Sequence, residues 1–413
     1  MFNIFFLIIL IIIITGHALG LYLDYLNNKM WTEKVPLKLK DIIDEEKYRT
    51  SQNYYRTNKK FSNISSSFFL IIILAMLFFA GFAWIDSIAR SITENMILIT
   101  IIFFAIIGLA SDILSLPFSW YNTFHIEEKF GFNKTSRTTF ILDRLKSLLL
   151  AALIGGPLLA LITWIYYAAG EMFWIYVWIV ITLFSIFMNI FYSQLIVPLF
   201  NKQKPLEEGE LRDEIESLAI KAGFKLSNIY TIDGSKRSTK SNAYFSGLGP
   251  KKRIVLFDTL INDLTIKEIT AVLAHEIGHY KRKHSLIMLF YGIFQTGIML
   301  YIFSILANNV KLTNAMGAEI PSFHLSIFAF FLIYTPVSRI ISLFMNYLSR
   351  RHEQQADKYA ANIYNHTYLV SALIKLSVKN LSNLNPHPTY VFVYYSHPPL
   401  LQRINNSEEE KNK

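Results

Sequence analysis

Apolar residues in this chain fall in long unbroken runs, not in the alternating or one-faced patterns of a soluble core. A helix needs roughly 20 residues to cross a bilayer core of about 30 Å. Seven runs meet that requirement, at residues 2–22, 66–88, 96–120, 147–169, 172–200, 285–307 and 323–348. Ala18-Leu19-Gly20 resembles a signal cleavage site, but no basic residues precede the first run and it is longer than a signal core. It is expected to remain as a helix.

The polar connections set an orientation. Residues 23–65 carry Lys29, Lys34, Lys38, Lys40, Lys47, Arg49, Arg56, Lys59 and Lys60, and the third connection carries Lys129, Lys134, Arg137, Arg144 and Lys146. The alternate connections contain little beyond Arg90 and Lys311. The positive-inside rule then puts the N-terminus outside and the C-terminus in the cytoplasm, which requires an odd number of spans.

This pattern divides the chain into four parts: transmembrane helices 1–5 over 1–200, a cytoplasmic domain over 201–284, helices 6–7 over 285–348, and a cytoplasmic tail over 349–413. The first polar part predicts an amphipathic helix over 207–222 closed by Gly223. Three β-type runs follow at 229–232, 242–245 and 253–257. The acidic end, 408–413, reads as a frayed tail.

Composition agrees with the pattern. Of 413 residues 53% are hydrophobic and 17% charged, and mean hydropathy is +0.33; a soluble domain carries about 25% charged residues. The net charge of +10 is spread over the membrane-flanking loops and not gathered on one face, so nucleic acid is not an expected partner. With no cysteine, disulfides, thiolate metal sites and a cysteine nucleophile are excluded.

The most informative polar stretch runs from Thr265 to His279. Thr265 and Glu268 form a capping-box pattern, so His275-Glu276-x-x-His279 should lie on a helix. His275 and His279, at i and i+4, share a face and can both reach one Zn²⁺. Glu276 is rotated by about 100° and is placed to activate the catalytic water. A catalytic zinc takes three protein ligands, and Glu353, just past the seventh run, is the third candidate. Asp357, one turn later, would accept the free N–H of a ligating His. His284 points off the metal face and is expected at the interface. Asp112 and Arg339 sit at membrane depth, which suits either a wet chamber or an ion pair between helices.

These residues, with Leu116-Pro-Phe-Ser-Trp-Tyr-Asn-Thr-Phe124, Glu127-Glu-Lys-Phe-Gly-Phe-Asn133, the stretch from Gly234 to Phe245, Arg253 to Thr259, Arg351 to Asp357 and Ser396 to Arg403, make the chain resemble the CAAX prenyl endoproteases over nearly its whole length. The resemblance implies an all-α integral membrane protein with seven transmembrane helices around a chamber and a small α+β zinc-protease domain on the cytoplasmic side. It implies one Zn²⁺ per chain and cleavage of a lipidated or membrane-associated peptide just after its prenylated cysteine. Residues 242–245 would form the substrate strand, with Asn242 holding peptide backbone beside Ala243, Tyr244 and Phe245. His397 and Arg403 would stabilise the charged intermediate. The short connection from Thr259 to Thr265 is more like a compact bacterial relative, for which the membrane would be the inner one; in a eukaryote it would be the endoplasmic reticulum. The rival readings are a membrane quality-control zinc protease and a transporter-like bundle with a structural metal. Glu276 speaks against the second, since a structural site needs no base beside its ligands.

Overall fold

The computed structural model describes residues 2–32, 34–223, 229–246 and 253–411. Helix α1 (Ile4–Lys29) opens behind Asn3, whose side chain accepts from the Phe6 backbone N–H. Helix α2 (Glu45–Phe78) opens at Asp44, which accepts from Lys47 N–H. Its first half is polar and only its second half is apolar, so one helix leaves the membrane and continues through about the second half of the first connection.

The second span is not 66–88 as its hydropathy predicts. The helix stops at Phe78, Ala80 takes a left-handed conformation (φ 51°), and α3 (Gly81–Ile92) sets off separately. A Cβ on Gly81 would meet Met76 Sδ at 2.5 Å, so a larger residue there would require the Met76 side chain to move. Average hydropathy reports composition and is blind to such a backbone reversal. Helix α3 buries Phe82, Ile85 and Ala89 on one face.

Helix α4 (Met96–Tyr121) is capped by Asn95 and runs on through a wide π turn at Asn122–Glu127. Then come α5 (Arg137–Leu150), a π turn at Ala151–Gly155, α6 (Gly156–Ala169), α7 (Phe173–Leu195) and α8 (Val197–Phe200). Gly170, at φ 55° and ψ −132°, breaks the path between α6 and α7, and the two helices pack together. Among the described residues six helical stretches are long and apolar enough to cross a membrane, and one of them, Arg137–Phe200, contains both the fourth and fifth expected spans. Ile71, Leu183 and Ile340 on these stretches are 65%, 63% and 67% exposed, and Ile71 lines a pocket together with Arg56, Lys60 and Asn63. Asp112 pairs with Arg144 on α5 at 2.8 Å, while Arg339 donates to the Gly16 carbonyl at 3.1 Å. Each ties two helices together, and they do not pair with each other.

Between the membrane-length helices lie β1 (Gln203–Pro205), α9 (Glu210–Lys221), β2 (Ile229–Ile232), β3 (Ala243–Ser246), β4 (Arg253–Phe257), α10 (Asp258–Asp263) and α11 (Ile266–Lys281). The sheet order is β1-β2-β4-β3, with β2 and β4 parallel and the outer pairs antiparallel. Strand β3 is therefore an edge. Strand β1 escapes sequence patterning because three residues ending in proline carry no alternation. Gly223 closes α9 at φ 56°, as its position after the helix predicts. Ile215, Leu218, Ile254, Leu256, Leu273 and Ile277 bury the sheet against α9 and α11.

Helices α12 (His284–Leu306), α13 (Val310–Ala315), α14 (Phe323–Ile363), α15 (His366–Lys379), α16 (Pro388–Tyr394) and α17 (Leu400–Lys411) complete the chain. Helix α14 is continuous across the expected boundary at 348, so the seventh expected span and the first part of the tail, to Ile363, share one rod. The acidic end is helical to Lys411, and residues 412–413 lie outside the described residues.

Candidate metal centre

The capping box at the start of α11 forms as its sequence predicts: Thr265 accepts from Glu268 N–H and Glu268 accepts from Thr265 N–H. Glu268 also takes Ser371 Oγ at 2.6 Å and Lys375 Nζ at 2.8 Å, tying α11 to α15. Burial would raise its carboxyl, but these donors overcome that and hold it down to about 2. With its start fixed, α11 lies against α14 at very close range. A Cβ on Gly278 would come within 3.1 Å of the Ala356 backbone, so glycine inside the His-Glu-x-x-His motif lets the two helices meet.

At that crossing three side chains converge. His275 Nε2 and His279 Nε2 are 3.1 Å apart. Glu353 Oε2 lies 3.5 Å from the first and Oε1 lies 3.3 Å from the second. Ligands at about 2.0–2.1 Å around a tetrahedral zinc stand about 3.3 Å from one another, so this triangle has the size such a site requires. Glu353 Oε2 is also buried without a hydrogen-bond partner among the described residues. Two imidazole nitrogens and a buried, unpartnered carboxylate oxygen make a donor set that fits zinc.

Around the triangle the partners differ from those expected in part. Asp357 Oδ1 accepts from His275 Nδ1 at 2.8 Å, the contact that its one-turn spacing from Glu353 suggests. Burial works to lower the His275 pKa, but the Asp357 and Glu353 carboxylates outweigh it and raise it to about 9. Arg403 is spent mainly on Asp357, with Nε 2.9 Å from Oδ2 and Nη2 2.5 Å from Oδ1; its Nη1 stands 3.7 Å from Glu353 Oε2. A guanidinium so engaged orients Asp357, and Arg403 also lines the cavity. His397 is 65% exposed, with Nδ1 3.0 Å from Glu353 Oε1. Glu276 is half-buried and lines the cavity with the other two motif residues.

His284 departs from its sequence reading. It is buried, not interfacial, and its Nδ1 is 3.0 Å from His279 Nδ1. A continuous helix would carry it about 140° off the metal face. Helix α11 instead ends at Lys281, and Lys283 adopts φ 58° at the start of α12, so His284 turns back.

The centre opens into a cavity of about 1730 Å³ bordered by α7, β3, α11 and α12. Asn242, Ala243 and Tyr244 line it, as do Glu276, Glu353, His397 and Arg403. The side chain of Phe245 lies outside the described residues, though its backbone pairs with Ile254. Sequence patterning also misses a joint behind the strand: Lys240 donates to Glu127 and Tyr54 at 2.8 and 2.7 Å and sits 4.4 Å over the Phe132 ring. This joint gives the Glu127–Asn133 motif its physical sense, since it fastens the approach to β3 onto the membrane helices.

Two family models cover the chain: CAAX prenyl protease N-terminal, five membrane helices, over residues 24–202, and peptidase family M48 over residues 205–411. The chain belongs to the CAAX prenyl protease family. It is 37% identical to CAAX prenyl protease 1 of Saccharomyces cerevisiae, covering 95% of this chain and 93% of that one. With the human CAAX prenyl protease 1 homolog it shares 31% identity over 90% of this chain and 88% of that one. The crystal structure of Ste24p from S. mikatae superposes with a TM-score of 0.93 at 37% identity, covering 98% and 99% of the two chains. The protein is thus a multi-pass membrane metallopeptidase. These named relatives are eukaryotic, and the bacterial affinity drawn from the short connection before Thr265 finds no support among them.

Proposed function

We propose that this CAAX prenyl protease relative removes the last three residues of a prenylated peptide by hydrolysis just after the modified cysteine. The observation that carries the reading is the joint exposure of the His275–His279–Glu353 triangle and the edge strand β3 to one cavity. An extended peptide can add to an unpaired sheet edge through its main chain. Asn242, Ala243, Tyr244 and Phe245 would hold it there, with its scissile carbonyl toward the triangle.

His275, His279 and Glu353 would hold one Zn²⁺, with Asp357 fixing the His275 ring. Zinc in this setting supplies Lewis-acid polarisation of the carbonyl and a water acidified toward a pKa of about 7. Glu276 accepts the proton of the attacking water and delivers it to the leaving amine. His397, the more open of the two flanking side chains, and Arg403 would donate to the developing oxyanion, where a single donor is typically worth about 2.7–4 kcal/mol. We further assign seven spans, taking Arg137–Phe200 as two, with the N-terminus outside and the soluble half and C-terminus in the cytoplasm. The Lys and Arg distribution supports that orientation.

Mass spectrometry of the purified protein with a farnesylated peptide ending in Cys-aliphatic-aliphatic-X tests the reading. The expected product lacks the last three residues, and the unfarnesylated peptide is cut far more slowly. Equal cleavage of unrelated unlipidated peptides would favour a quality-control protease instead.

A further inference from the structure

We infer that His284 is a positioning residue that fixes the tautomer of His279, through a chain of three side chains ending at Gln355. The inference rests on His279 being a metal ligand, as proposed above. Its basis is a run of hydrogen-bond distances outside the triangle: His279 Nδ1 to His284 Nδ1 at 3.0 Å, then His284 Nε2 to Gln355 Oε1 at 2.9 Å.

A nitrogen that binds a metal offers a lone pair and carries no proton. If His279 Nε2 faces the metal, its proton is on Nδ1 and must be donated outward. The atom facing Nδ1 is His284 Nδ1, which can accept only when its own ring proton is on Nε2. The carbonyl oxygen of Gln355 accepts that Nε2–H. Every link then has one donor and one acceptor, and the opposite tautomer of His284 would set two N–H groups against each other at 3.0 Å. His275 has the usual carboxylate partner in Asp357; His279 has a neutral imidazole in the same role.

The fold holds His284 in this place with some effort. Lys283 takes a left-handed conformation, which side chains with a Cβ avoid, and strain of that kind persists where the surroundings enforce it. The His284 ring also stacks on His352, with centroids 4.0 Å apart and planes 7° from parallel. His352 adjoins Glu353 on α14, so the stack fixes His284 to the helix that brings the carboxylate ligand.

Zinc affinity alone, measured by competition with a chelator in the absence of substrate, tests the inference. His284→Leu removes the acceptor and should weaken zinc binding by about 10–100-fold, the cost typical of losing a partner behind a ligand. His284→Asn puts a carbonyl oxygen near the position of Nδ1 and should restore most of that loss. Gln355 is exposed, so Gln355→Leu leaves the core intact and should weaken binding in the same direction. Unchanged affinity in both Leu variants overturns the inference, as does equal loss in His284→Leu and His284→Asn, which would mean the ring matters only for packing. If the unmodified chain binds no zinc, the metal reading itself has failed.

Discussion

Glu276→Gln is expected to abolish turnover while leaving zinc in place. Glutamine keeps the length of the side chain and can still hydrogen-bond to water, but it cannot take a proton from it at neutral pH. The rate should fall by the roughly 10²–10⁴ assigned to general-base catalysis. Zinc should stay near one per chain, because Glu276 contributes no atom to the triangle of His275, His279 and Glu353. Elemental analysis and a peptide turnover assay on one preparation check both halves. Loss of zinc, or retained turnover, would remove Glu276 from the role of base.

Replacing a member of the triangle should do something different. His279→Ala and Glu353→Ala each take one of three protein ligands from the metal, and a site with two holds zinc poorly. Both variants should lose metal and activity together. Glu353→Ala should also disturb the protein without metal, since Glu353 Oε1 is the atom that His397 Nδ1 approaches to 3.0 Å. The metal-free variant should therefore lose the order of the loop carrying His397, which limited proteolysis near Pro398 would report.

How far these assignments could be read from the chain depends on whether the deciding contact is local. The i, i+4 spacing of His275 and His279 and the pairing of Thr265 with Glu268 are properties of one helix. Patterning finds both, and α11 has both. Glu353 and Asp357 are one turn apart on α14, but Glu353 drew notice only because His275 and His279 call for a third ligand. Where the backbone leaves its regular path, patterning fails. The left-handed residues Ala80 and Lys283 end one helix inside an expected span and turn His284 back onto His279, and neither is a glycine that would announce a turn. The pairing of Arg403 with Asp357 was invisible because it joins residues 46 apart, on α17 and α14.

The central claim is that a zinc held by His275, His279 and Glu353 is required for cleavage of a prenylated peptide. Its most direct test is to strip the purified protein with a chelator, return zinc in measured steps, and follow release of the C-terminal tripeptide from a farnesylated substrate. The account predicts no product from the stripped protein and a linear recovery that ends at one zinc per chain. Full activity in the metal-free protein, or recovery without a defined endpoint, would contradict it.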